Sequence, residues 1–113
     1  MRAINGRNGR IIAAELQVAQ TFRSRARGLL GKEALRQGEG LLIRPCMGVH
    51  TFFMKFPIDV VFLDRSNRVL ATVEGLRPQR VTRLIMASAC VLETAAGMVA
   101  FSGTSPGDRI EIG

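Results

Sequence analysis

The sequence predicts one α+β domain: mainly an antiparallel sheet curled toward a barrel, with one or two short helices packed on it. Three observations carry this reading. The chain has 113 residues and 47% hydrophobic content, enough for one core and too apolar for a disordered chain. Short runs rich in β-branched and apolar residues are separated by turn signals, and twelve glycines and four prolines supply the turns. One stretch, Phe22 to Leu30, instead repeats its apolar residues at helical spacing. Residues 1–113 are read as a single domain, without an internal repeat, low-complexity segment or linker.

In chain order, Asn5-Gly6 and Asn8-Gly9 are turn signals that place a hairpin over residues 2–19. Its second half alternates Leu16 and Val18 with Glu15 and Gln17, the pattern of a half-buried strand. Thr21 is an N-cap candidate for a helix from Phe22 to Leu30. There Phe22, Ala26, Leu29 and Leu30 share one stripe, and Arg23 and Arg27 stack on another. Gly31 can close this helix, and Lys32 to Gln37 can add a turn or two. Gly40 to Arg44 is extended, interrupted by Pro45 and bent at Gly48. Val49 to Phe56, rich in β-branched and aromatic residues, is expected as a strand ending at Pro57.

Ile58 to Leu63 is nearly all apolar, so both faces of this strand should be buried. Asp64-Arg-Ser-Asn67 is a tight turn, with Asn67 suited to left-handed backbone, and Arg68 to Glu74 returns as the partner strand. Gly75 to Ala87, carrying Arg77, Pro78, Arg80 and Arg83, is expected as a long, irregular, basic loop. Ala89 to Glu93 is a short strand, and Thr94 is a cap for a short helix from Ala95 to Phe101. Ser105 to Asp108 is a turn, and Arg109 to Ile112 is a closing strand.

The net charge is +7 and almost all arginine, since only Lys32 and Lys55 are lysines. A basic domain attracts polyanions: nucleic acid, phosphorylated ligands and acidic partners all fit. No recognisable nucleic-acid motif accompanies the charge. No apolar run approaches the roughly 18 residues that span a membrane, so no membrane partner is expected. The opening Met1-Arg-Ala-Ile-Asn-Gly6 lacks the apolar centre of a signal peptide. A cytoplasmic location follows as the expectation, with Cys46 and Cys90 as reduced thiols.

Reactive residue types concentrate between Arg44 and Asp64. This run holds the only histidine, one of two cysteines, two of five methionines and four of six phenylalanines. Cys46, His50 and Met54 recur every four residues and are soft metal-ligand types. Positions four apart on a strand are separated by roughly 13 Å, too far to share one ion. No metal or cofactor is therefore expected. A Cys46 or Cys90 nucleophile with His50 as base is a second possibility, disfavoured because apolar surroundings raise a thiol pKa. Asp59, between Ile58 and Val60, must find a donor: a backbone N–H, Lys55, or an arginine such as Arg44. Glu93 can be a charge at a helix start or a site residue.

The order of these pieces is that of a known family. Arg27-Gly-Leu-Leu-Gly31, Gly40-Leu-Leu-Ile43, His50-Thr-Phe-Phe-Met-Lys55, Ile58-Asp-Val-Val-Phe-Leu-Asp64, Val91-Leu-Glu93, Ala96-Gly97 and Gly107-Asp108 together resemble the domain-of-unknown-function family one hundred and ninety-two. The resemblance runs from about Ala13 to the C-terminus. It implies a sheet-dominated α+β domain and no particular activity. It directs attention to Met54, Lys55, Asp59, Asp64, Glu93 and Gly97. Phe53 stands here where that family's pattern has Trp as often, so any stacking would use less area and no N–H donor.

The functional expectation is a non-catalytic binding module. His50, Phe53, Lys55, Asp59 and Glu93 would build a pocket, with Arg44 and the Arg77 to Arg83 loop at its rim. An anionic small molecule, a nucleic acid or a protein segment would occupy it. The alternatives are a hydrolase or transferase using His50 and a carboxylate, or a basic nucleic-acid-binding domain.

Overall fold

The structure is a computed structural model, and it describes residues 1–21, 29 and 31–113. Eight strands and one short helix are seen among the described residues: β1 (Ala3–Asn5), β2 (Ile11–Ala13), β3 (Glu15–Ala19), β4 (Glu39–Ile43), β5 (Ile58–Leu63), β6 (Val69–Leu76), β7 (Cys90–Ala95), α1 (Met98–Ser102) and β8 (Ile110–Ile112). They form a three-stranded sheet ordered β2-β1-β8 and a five-stranded sheet ordered β3-β4-β7-β5-β6. Neither sheet closes, so the curl toward a barrel is not realised. The two lie against each other, with the isolated bridge Arg68↔Arg109 linking them at one edge.

The α+β expectation holds in a mostly β form. The hairpin expected over residues 2–19 extends only to Ala13. Ala14 then switches sheets, and β3 pairs in parallel with β4, an exception in an otherwise antiparallel structure. The helix expected from Phe22 to Leu30 lies outside the described residues except for Leu29. Lys32 to Gln37 adds no helical turn. Thr94 does not cap a helix, because β7 continues through Ala95 and Gly97 is the N-cap, at φ 97°. The buried strand expected at 58–63 is present, with all six residues buried. The Asp64 turn is also as expected. Asn67 sits at φ 62°, and Asp64 Oδ1 accepts the N–H groups of Ser66 at 2.8 Å and Arg68 at 3.0 Å.

The core has two parts, one on each face of the five-stranded sheet. Strand alternation sends Leu42, Val61, Leu63, Cys90 and Leu92 to one face, where they meet Ala3, Ile12, Val99 and Ile110 from the smaller sheet and α1. It sends Leu41, Ile43, Ile58, Val60, Phe62 and Val91 to the other. Gly40 marks the tight approach on the first face: a Cβ there would come within 2.9 Å of Ala13 Cβ. No regular element among the described residues covers the second face fully. Met54, Val49, Phe56, Cys46 and Ile85 cover it from two loops, alongside Leu29 and Leu35.

Candidate functional site

The two loops, residues 44–57 and 77–89, are zipped to each other by backbone hydrogen bonds. Cys46 N–H donates to Ala89 O at 3.2 Å and Ile85 N–H to Met47 O at 2.8 Å. Thr82 N–H donates to Val49 O at 2.9 Å, Thr51 N–H to Arg80 O at 2.8 Å, and Gln79 N–H to Thr51 O at 3.0 Å. His50 and Val81 form a single bridge. The buried Thr51 hydroxyl locks the junction: it donates to Arg77 O and accepts Arg80 N–H at 3.0 Å. This explains why Val49 to Phe56 is not the strand its composition suggests. Its polar backbone is satisfied irregularly by the opposite loop, and Phe53 takes φ 66°, which no strand accommodates.

The zipped loops have an inner and an outer side. Val49, Met54, Phe56 and Ile85 point inward to the core. His50, Phe52, Phe53, Val81, Leu84 and Met86 are exposed, as are Arg77, Arg80 and Arg83. The His50 and Phe52 rings lie 5.4 Å apart at 30°. The two loops carry five cations (Arg44, Lys55, Arg77, Arg80, Arg83) and none of the chain's nine acidic residues. Such a face has a positive potential and attracts anions.

The six residues expected to build one pocket are not brought together. His50 and Phe53 are exposed on the outer side of the loops. Lys55 is also exposed, and its Nζ pairs with Glu33 rather than Asp59. Asp59 is fully buried and is satisfied by backbone alone. Its Oδ1 accepts Gly75 N–H at 2.8 Å, and its Oδ2 accepts Gly97 N–H at 3.0 Å and Val99 N–H at 2.9 Å. It thus ties β5 to the end of β6 and to the start of α1. Glu93 is buried as well, but strand alternation puts it with Val91 on the opposite face of the sheet from Asp59. Its carboxylate has no hydrogen bond or ion pair among the described residues, and burial pushes its pKa up to about 7. Arg44 is half-buried beside Cys90. Burial pushes the Cys90 thiol up, and the Arg44 hydrogen bond pulls the other way.

The cysteine readings fare similarly. No disulfide joins Cys46 and Cys90, and the Cys46 thiol donates to Gly48 O at 3.1 Å. Met54 is buried while His50 is exposed, so the Cys46, His50, Met54 repeat is split between the two sides of its loop. An open depression of about 740 Å³ lies at the base of the loops. Cys46, Met47, Asp64, Arg65, Met86 and Ser88 are among its lining residues, and none of the six expected site residues is.

Sequence reasoning missed one polar cluster. The buried Asp108 carboxylate accepts Arg7 Nε at 2.7 Å, Asn5 Nδ2 at 2.9 Å and Ser105 N–H at 3.0 Å. Arg7 and then Asn5 hold the Asp108 carboxyl well below the usual carboxylate range. These residues are about a hundred positions apart, and no local spacing announces their contact. The cluster closes the molecule's ends and leaves Asp108 no free valence for a ligand.

Comparison with known proteins agrees with this fold. The model of the family DUF192, described as uncharacterized ACR, matches residues 3–112. A UPF0127 protein of Thermococcus sibiricus is 29% identical over 112 residues, covering 96% of this chain and 72% of its own length. The solved structure of a protein of unknown function from Novosphingobium aromaticivorans superposes with a TM-score of 0.85 at 25% identity, over 97% of this chain and 82% of that one. A proposed transcription regulator from Sinorhizobium meliloti gives 0.81 at 25% identity, over 97% and 89%.

Proposed function

The chain belongs to the DUF192 family, and from that premise we propose that it is a non-catalytic binding module whose ligand is anionic and is held on the zipped loops. The observation that carries this is the pairing of two acid-free loops. They present Arg77, Arg80 and Arg83 beside the exposed His50 and Phe53. In this reading the cations supply attraction and the rings supply contact area. Lys55, whose partner Glu33 is exposed, is available to exchange that partner for a ligand anion. Asp59 acts from within, holding the sheet on which the loops rest.

The rival reading, a hydrolase or transferase, needs a carboxylate within reach of the imidazole. Glu93 has a pKa suited to proton transfer near neutral pH. However, no hydrogen bond among the described residues joins His50 to Glu93 or Asp59, so binding is the better-supported role.

Retention on immobilised heparin, a generic polyanion, tests the proposal. The parent protein should elute at a salt concentration well above that of an Arg77→Ala/Arg80→Ala/Arg83→Ala variant of equal thermal stability. Equal elution of the two proteins would sink the assignment of the anion to these loops.

A further inference from the structure

Six of the nine exposed large hydrophobic side chains among the described residues sit on the two zipped loops. Phe53 is 80% exposed, Met86 76%, Leu84 67% and Val81 60%, with Phe52 and Met47 near 40%. The same loop segments carry Arg77, Arg80 and Arg83 and no acidic residue of their own, and Asp64 reaches only the depression edge at Met47 and Met86. The inner side of the same loops is already anchored by Val49, Met54, Phe56 and Ile85, so the outer side chains are not spare core. An apolar patch of this kind, rimmed by charge, marks an interaction surface.

We propose that this outer side lies on an acidic lipid surface. Phe52, Phe53, Leu84 and Met86 enter the headgroup boundary while Arg77, Arg80 and Arg83 meet lipid phosphates. This rests on the anion-binding reading above and names its occupant. It also replaces the expectation that no membrane is involved. No described helix is long and apolar enough to cross a membrane, and a surface-lying mode needs none.

Charge selects an anionic partner, and the aliphatic side chains decide which one. A nucleic acid would stack on Phe52, Phe53 and His50 but would leave Val81, Leu84 and Met86 in water beside phosphates. A folded acidic protein would need a separate hollow for each protruding side chain. A fluid headgroup layer adapts to all of them and supplies phosphate at the same depth as the arginines. Phe53 is the leading contact. Its left-handed backbone, unusual for a bulky residue, accompanies the most exposed ring among the described residues.

Co-sedimentation with phosphatidylcholine vesicles, with and without phosphatidylglycerol, tests the proposal, with heparin retention measured in parallel. The parent protein should bind vesicles containing phosphatidylglycerol and ignore pure phosphatidylcholine. Leu84→Ser/Met86→Ser should lose about tenfold or more of the vesicle partition while keeping its heparin elution. Phe101→Ser, on α1 and outside the loops, should partition as the parent does. The chain has no tryptophan, so Phe53→Trp adds a single reporter, and its emission should shift to the blue on acidic vesicles.

Heparin retention without vesicle binding overturns the lipid assignment and leaves the anion reading standing. So does an unshifted Phe53→Trp emission, or tighter binding to a single-stranded oligonucleotide than to acidic vesicles. Vesicle partition of Leu84→Ser/Met86→Ser equal to the parent's overturns insertion. Failure to bind heparin and vesicles alike removes both readings.

Discussion

The two faces of the five-stranded sheet are closed by different means. One packs against a second sheet and α1, and the buried carboxylate on that side, Asp59, takes three backbone N–H donors. The other is covered in large part by two irregular loops, and the buried carboxylate there, Glu93, has no partner among the described residues. Regular elements hold fixed donors where a buried charge can use them. Loops that turn their backbone groups toward each other do not. What the loops gain is an outer side free to carry arginines, which no core position would tolerate unpaired, next to exposed apolar side chains.

Substitutions on each face put this contrast to the test. The largest effect is expected on the satisfied side. Asp59→Ala should cost at least about 3 kcal/mol, because three buried or part-buried N–H groups lose a charged acceptor at once. Urea denaturation measures it, and a loss below about 1 kcal/mol would mean that solvent replaces the carboxylate.

On the loop side the sign reverses. Glu93→Met should stabilise the protein by about 2–3 kcal/mol at pH 8, since it removes a buried charge that no described residue pairs. The folded-state pKa of Glu93, about 7, lies above its ordinary value of 4.5. The folded state therefore binds more protons between those values, and the parent's stability should fall as pH rises through that window and level off above it. Denaturation curves at pH 5 and pH 8 should diverge for the parent and nearly coincide for Glu93→Met.

Asp108→Asn should cost about 1–2 kcal/mol at neutral pH, with Arg7 and Asn5 losing a charged acceptor. The Asp108 carboxyl titrates below its ordinary range when folded. Its contribution is thus complete above about pH 4 and drains away as pH falls further, so the gap between parent and variant should narrow in an acid titration. The smallest effect belongs to Lys55→Ala, within about 0.5 kcal/mol, because its pair with Glu33 is exposed on both sides. A larger loss by thermal melting would show that Lys55 holds the loop rather than waiting for a ligand.

Much of the frame was legible along the chain. The six-residue apolar run at Ile58 predicted a strand buried on both faces, because only such a strand has no use for polar alternation. Asp64 and Asn67 predicted their turn through their own side-chain chemistry. The search for a donor to Asp59 had the right set of candidates, and backbone N–H proved to be the answer. Val49 to Phe56 misled because β propensity describes residues that fit a pleated surface, not whether a partner strand exists. The expected pocket failed for a related reason. Asp59 and Glu93 both follow apolar neighbours in sequence, but their side depends on strand parity and on which strands pair.

By itself, then, the sequence determined the apolar segments, their turns, the excess of arginine and the acid-free character of residues 44–57 and 77–89. These depend on local chemistry and composition, which neighbours along the chain settle. Tertiary structure decided that those two loops zip together, that Asp59 and Glu93 look away from each other, and that Asp108 closes on Arg7 and Asn5. Each of these depends on contacts across tens of residues, set by strand order and register rather than by any spacing the chain displays.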